Sequence, residues 1–198
     1  MTALRQAVAQ RTTKETDIVV TLNLDGSGVA RITTGIGFFD HMLTTFAKHA
    51  LCDLEINARG DLHIDGHHTI EDTGIVLGQA LRQALGEKKS VMRFGHALVP
   101  LDEALCTAVV DLSGRPFLAF DMPMTCHRIG ELDTELIEEF FRALAMSALM
   151  TVHIKKDAGH NTHHIIEAGF KAFARALRMA VELDPRAEET VPSTKGVL

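Results

Sequence analysis

The stretch His67–Leu85, HHTIEDTGIVLGQALRQAL, returns in altered form as His163–Val181, HHIIEAGFKAFARALRMAV. Setting 67 against 163, an offset of 96, also puts His68 on His164 and Glu71 on Glu167. Ala80, Leu81 and Arg82 then fall on Ala176, Leu177 and Arg178. Chance readily supplies one such match, but not all six in one ungapped block. A second block agrees: Asp40–Ile56, DHMLTTFAKHALCDLEI, against Glu138–Ile154, EEFFRALAMSALMTVHI, at an offset of 98. It pairs Ala47 with Ala145, Ala50 with Ala148, Leu51 with Leu149 and Ile56 with Ile154. The offsets differ by two residues, which places a small insertion between the blocks of the first half. The chain reads as an internal duplication, and a repeat of this kind governs the architecture before any single element does.

The periodicities around each block repeat as well. Residues 17–24 (DIVVTLNL) are apolar and β-branched, break at Asp25-Gly26-Ser27-Gly28 and resume as VARITT, which predicts a β-hairpin. CTAVVDL, a break at Ser113-Gly114-Arg115-Pro116, and FLAFDM repeat that signal in the second half. A helical stretch follows, with Phe39, Met42, Leu43 and Phe46 at helical spacing in the first half. Next come a short alternating strand (DLEINA; TVHIKK) and the helix opened by the His pair. Each half is thus β-β-α-β-α, with a further edge strand from segments such as HALVPLDEA. Phe170, Phe173, Ala174, Leu177 and Val181 make the second final helix apolar around much of its circumference, so it should be buried between layers. The predicted fold class is α+β, with helices packed between two small β-sheets. The halves divide as 1–92 and 93–198, joined in one compact unit.

Composition narrows the function. The chain has 198 residues, 46% hydrophobic and 23% charged, with mean hydropathy +0.09, as suits an ordered globular protein. A net charge of −6 and a pI near 6.0, with scattered Lys and Arg, argue against a nucleic-acid partner. The opening residues lack the apolar core of a secretory signal, and no apolar run is long enough to span a membrane. Cys52, Cys106 and Cys126 form no CxxC pair and suit reduced thiols in a cytoplasmic protein. Trp and Tyr are absent, yet there are 11 His.

Four of those histidines carry the candidate chemistry. On a helix Glu71 shares a face with His67 and His68, as Glu167 does with His163 and His164. Adjacent histidines diverge by about 100° around the axis, so the members of each pair are suited to different metal ions. Imidazole and carboxylate donors without thiolates point to Mn, Fe, Co or Zn in a non-structural site. A lone HxxxE is more often a surface hydrogen-bonded pair, but two copies kept through a duplication whose other residues vary favour a ligand set.

GIGFFDHML, DGHHTIEDTGIVLGQAL, NTHHIIEAGFKAFARAL and the ending PSTKGVL together resemble the imidazoleglycerol-phosphate dehydratase family, over essentially the whole chain. The resemblance implies a hydro-lyase of histidine biosynthesis that converts imidazoleglycerol phosphate to imidazoleacetol phosphate. It implies two Mn ions per active site, and a homo-oligomer of 24 subunits with active sites where subunits meet. It makes His41, His67, His68, Glu71, His163, His164 and Glu167 the metal ligands, with His41 also near the substrate. The carbon that loses a proton has no carbonyl beside it, so the ions would serve as Lewis acids and as an orienting template.

Glu15, in TTKET, matches a substrate-contacting Glu of the family and is the first acid/base candidate, followed by Asp102 and His49. By resemblance Arg93, Arg115, Lys171 and the tail residues Ser193, Thr194 and Lys195 converge on the substrate phosphate. Lys171 also stands four residues after Glu167, beside the ligands, where its counterpart in the first half is Ile75. One position departs from the family pattern. Where His is common before the paired Phe of the second half, this chain has Glu139, opposite His41 in the duplication, and a carboxylate there can replace imidazole as a ligand.

Two other classes use the same ligand types, a binuclear metallohydrolase cleaving phosphate esters and a metal-storage shell. Storage leaves Arg93, Arg115 and the STK tail unexplained, and a phosphatase would release inorganic phosphate.

Overall fold

The structure is a computed structural model that describes residues 5–187 and 189–198. Its first half runs β1 (Gln6–Thr12), β2 (Thr16–Asn23), β3 (Ala30–Thr33), α1 (Gly37–Ala50), β4 (Asp53–Gly60) and α2 (His67–Leu85). The second runs β5 (Phe94–Leu101), β6 (Ala104–Asp111), β7 (Phe117–Asp121), a small hairpin β8 (Arg128–Ile129) and β9 (Leu132–Asp133), α3 (Leu136–Ala148), β10 (Thr151–Ala158) and α4 (Thr162–Val181). The two four-stranded sheets have the orders β1-β2-β4-β3 and β5-β6-β10-β7, the same topology twice. The duplication read in the sequence is therefore a duplication of fold.

The predicted hairpins between 17–24 and VARITT, and between CTAVVDL and FLAFDM, do not form. β4 lies between β2 and β3, pairing antiparallel with the first and parallel with the second. β10 separates β6 from β7 in the same way. Parallel neighbours need a crossover, and α1 and α3 supply it. Leu54, Ile56 and Ala58 bury one whole face of β4, so this strand takes the centre, while the short, half-exposed β3 takes an edge. The hairpins that do form join β1 to β2 and β5 to β6. β5 is the edge strand expected from HALVPLDEA. β1 escapes notice because only Ala9 of QAVAQRT is buried, which erases the alternation of a half-buried strand.

The four helices lie between the sheets. α2 packs on β1 and β2, α4 on β5 and β6, and each also meets the shorter helix of the other half, α2 with α3 and α4 with α1. Burial in β2 alternates, with Ile18, Val20 and Leu22 inside, as a sheet with one covered face requires. Phe39, Phe140, Phe141, Phe170 and Phe173 fill the middle, with Phe39 to Phe140 at 5.2 Å and Phe141 to Phe173 at 5.3 Å between centroids. Phe170, Phe173, Ala174, Leu177 and Val181 are all buried, as their spacing predicts.

Repetition extends to the helix ends. α1 stops at Leu51 and α3 at Leu149, both left-handed at φ 57° and φ 52°. The following amides, of Cys52 and Met150, donate to the carbonyls of Ala47 and Ala145. These stops turn the chain at once into β4 and β10, and so fix where each following His pair emerges.

Candidate active site

Each His pair opens a helix whose first amides are held by an Asx side chain. Asn161 accepts from the amides of His163 and His164, and Asp65 accepts from that of His67. The rings of each pair diverge as helical spacing requires, with centroids 6.0 Å apart and planes at 90° for His67 and His68, and 6.1 Å and 82° for His163 and His164. The helical Glu serves the first histidine of each pair. Glu167 Oε2 lies 3.1 Å from His163 Nε2, and Glu71 Oε2 lies 4.0 Å from His67 Nε2.

Because α1 packs on α4, His41 of the first half reaches the candidate ligands of the second, with Nε2 3.4 Å from Glu167 Oε2. Donor atoms of His41, His163 and Glu167 all lie within 4.8 Å of one another. Lys171 Nζ sits 2.7 Å from the other Glu167 oxygen. Burial works to raise the Glu167 pKa, but Lys171 and His163 outweigh it and hold the carboxyl below its usual range. His49, two turns beyond His41, is lowered by burial and then by Lys171 and Arg175. Glu139 stands on α3, which packs against α2, but its recorded ion pair is with Arg142 at 3.9 Å.

The second histidine of each pair meets carboxylates from a loop. His68 Nδ1 lies 3.0 Å from Asp61 and 3.9 Å from Glu15. His164 Nδ1 lies 2.7 Å from Glu103, while its Nε2 is 3.9 Å from Asp102. Hydrogen bonding to these carboxylates raises both histidines above 6.5. The same bond from His164, helped by the Asn161 amide, pushes Glu103 down to about 2. Sequence reasoning named Glu15 and Asp102 and missed Asp61 and Glu103. Asp61 sits in an irregular loop where no periodicity points to it. Glu103 carried a signal, since it precedes β6 directly as Glu15 precedes β2.

A separate open recess is lined by Arg93, Arg115, Ser193, Thr194 and Lys195. Arg93 anchors the tail there: Nε lies 2.8 Å from Asp111, Nη1 donates to the Pro192 carbonyl at 2.7 Å, and the guanidinium stands 4.6 Å above the Phe94 ring. Ser113 Oγ accepts from the Arg115 amide and shapes the turn that presents Arg115. Lys171, expected among these residues, lies outside the recess because its ammonium pairs with Glu167.

Two similar halves, each bringing a capped His pair and a carboxylate to the head of a buried helix, are the pattern that comparison with known proteins tests. The family model of imidazoleglycerol-phosphate dehydratase matches residues 34–177. The chain belongs to the imidazoleglycerol-phosphate dehydratase family. Relatives of that name from Gluconacetobacter diazotrophicus and Gluconobacter oxydans are 64% and 61% identical, each over 100% of both chains. A crystal structure of imidazoleglycerol-phosphate dehydratase from Staphylococcus aureus has TM-score 0.82 at 44% identity, covering 90% of this chain and 99% of its own. One from Pyrococcus furiosus, in complex with (S)-C348, has TM-score 0.83 at 43% identity, covering 96% and 99%. As a member of the imidazoleglycerol-phosphate dehydratase family the chain is an enzyme. The family match contains His41, both His pairs, Glu139 and Lys171, and the full-length relatives extend over Glu15 and the tail. No described helix is long and apolar enough to cross a membrane.

Proposed function

We propose that this chain performs the dehydration its relatives' names describe, converting imidazoleglycerol phosphate to imidazoleacetol phosphate in histidine biosynthesis, and that it does so with divalent metal ions. The observation that carries the metal is the convergence of His41 and His163 on Glu167 from opposite halves of the fold. With Glu167 Oε2 3.1 Å from His163 Nε2 and 3.4 Å from His41 Nε2, the three side chains would reach a common ion. Two imidazoles and a carboxylate suit a divalent first-row ion, and the resemblance to the family selects Mn. His163, His41 and Glu167 would hold one ion. His67 and Glu71 would hold a second with Glu139, which stands in α3 where His41 stands in α1. His68 and His164, turned away from these triads, would complete the sites of neighbouring copies. That division fits active sites between copies, and the resemblance to the family extends the proposal to a cytoplasmic 24-subunit shell with two ions in each site.

The reaction breaks the C–O bond beside the imidazole ring and the C–H bond of the next carbon. Hydroxide leaves with that proton as water, and the resulting enol becomes the ketone. When bound, the ions supply Lewis acidity and a template for the imidazole end of the substrate. Glu15, exposed beside His68, takes the carbon-bound proton, with Asp102 and His49 available for later transfers. Lys171 keeps Glu167 ionised. Arg115, Ser193, Thr194 and Lys195 hold the phosphate, Arg115 by paired N–H donors and Lys195 as a point charge, while Arg93, tied to Asp111 and the Pro192 carbonyl, adds its charge and anchors the tail beside them.

An assay on imidazoleglycerol phosphate that reads ketone and free phosphate together tests this function. Ketone should form without phosphate release, stop with a chelator and return with Mn. Release of inorganic phosphate would make the chain a phosphatase instead.

A further inference from the structure

The two halves hold the outward histidine in the same way with residues that do not correspond. Val20 pairs with Ile56, and Ala108 pairs with Ile154, the repeat partner of Ile56, so β2 and β6 superpose at an offset of 88. Glu15 then falls on Glu103. Yet Glu103 bonds His164 Nδ1 at 2.7 Å, whereas Glu15 stops 3.9 Å short of His68 Nδ1. Asp61 fills that place at 3.0 Å. It lies in the 61–66 connection, where the first half is longer, and the shorter 159–161 connection, Gly159-His160-Asn161, offers no carboxylate. Each half has thus reached a carboxylate on Nδ1 by its own route, which a merely inherited surface pair does not explain.

We propose that Glu103 and Asp61 are positioning residues that lock the rings of His164 and His68 with Nε2 turned outward toward a divalent cation, and that Asp61, by taking this task in the first half, leaves Glu15 free to move protons. The inference rests on the metal reading above. A carboxylate accepting from Nδ1–H fixes the tautomer that leaves Nε2 as the donor to a metal, and it fixes the ring plane as well. Glu103 is tied down in turn by the amides of Asn161 at 2.8 Å and His160 at 3.3 Å. Glu15 has no such tether on its carboxylate among the recorded hydrogen bonds of the described residues, and its side chain is 55% exposed.

Chelator competition with Mn on the intact oligomer tests the proposal in Asp61→Ala, Asp61→Asn, Glu103→Gln and Glu15→Gln. Asp61→Ala should weaken Mn binding about ten- to a hundredfold. Asp61→Asn should recover most of that, because its amide oxygen still accepts from Nδ1–H. Glu103→Gln keeps an acceptor for the His160 and Asn161 amides, so α4 stays capped, and it should likewise retain most of the affinity. Glu15→Gln should bind Mn as the parent does while losing turnover. Nitrogen-15 spectra of ring-labelled histidine in metal-free protein give a second readout: Asp61→Ala should move one ring away from the Nδ1-protonated tautomer. Unchanged Mn affinity and unchanged ring signals in Asp61→Ala would overturn the proposal, as would Mn loss in Glu15→Gln equal to that in Asp61→Ala. A parent protein that binds no Mn would sink the metal reading alone, and the ring spectra would still decide the positioning role.

Discussion

At the scale of single residues, the proposed ligands and the proposed phosphate contacts are separate sets, and they should fail separately. Lys195→Ala should raise KM with metal content unchanged, because the tail recess holds no histidine or carboxylate from the ligand triads. His164→Ala should lose metal as well as activity. Metal analysis and steady-state kinetics on both variants check this, and equal metal loss in the two would show the tail to be misassigned. Acid should also release the ions. In the metal-free protein Asp61 and Glu103 hold His68 and His164 above 6.5, so those pairs stabilise the fold below that value for as long as the two carboxyls, themselves lowered by the same bonds, stay ionised. The contribution is lost as pH rises through the raised pKa values. Coordination runs the other way, since it needs neutral imidazoles. Melting curves with and without chelator should therefore converge on acidification. The two His-His-x-x-Glu clusters were legible because helical spacing is visible in one dimension. Asp61 and Glu103 were not, since their relation to His68 and His164 exists only after the loops close.

At the scale of elements, the site depends on how closely α2 approaches α3. A Cβ on Gly78 would stand 2.7 Å from the Leu144 carbonyl oxygen and 2.7 Å from Ser147 Cβ, and one on Gly74 would stand 2.7 Å from the Phe140 carbonyl oxygen. Gly78→Ala gains about 1 kcal/mol of helix propensity, yet it meets backbone that cannot rotate away. Overpacking of this kind costs about 1–3 kcal/mol, so the variant should melt below the parent, and activity should fall with it as α3 is pushed from α2. A thermal melt beside an activity measurement checks both. Helix positions were read well here because the apolar period survives in every helix. Strand order was read poorly for a physical reason: hairpin and crossover leave the same pattern of strand, turn and strand, and the central place of β4 and β10 shows only in the burial of Leu54, Ile56 and Ala58 and of Val152 and Ile154.

At the scale of the whole molecule, the fold is two copies of one unit whose ligand helices exchange partners. α1 packs on α4 and α3 on α2, so the cluster of His41, His163 and Glu167 draws on both halves. The repeat made this architecture readable in outline, while the exchange of partners left no mark on spacing. If His68 and His164 complete sites in neighbouring copies, metal also holds copies together. Native mass measurement should then show a smaller particle after chelation, restored by Mn, whereas a fully metal-free particle of unchanged size and stability would remove the ions from the interfaces. The central claim is that these ions are required for dehydration, and stepwise addition of Mn to the stripped protein tests it most directly. Ketone formation should be absent at the start, rise in step with bound metal and level off at two ions per active site. A stripped protein that already turns over at the full rate, or one that binds Mn tightly without gaining activity, would contradict it.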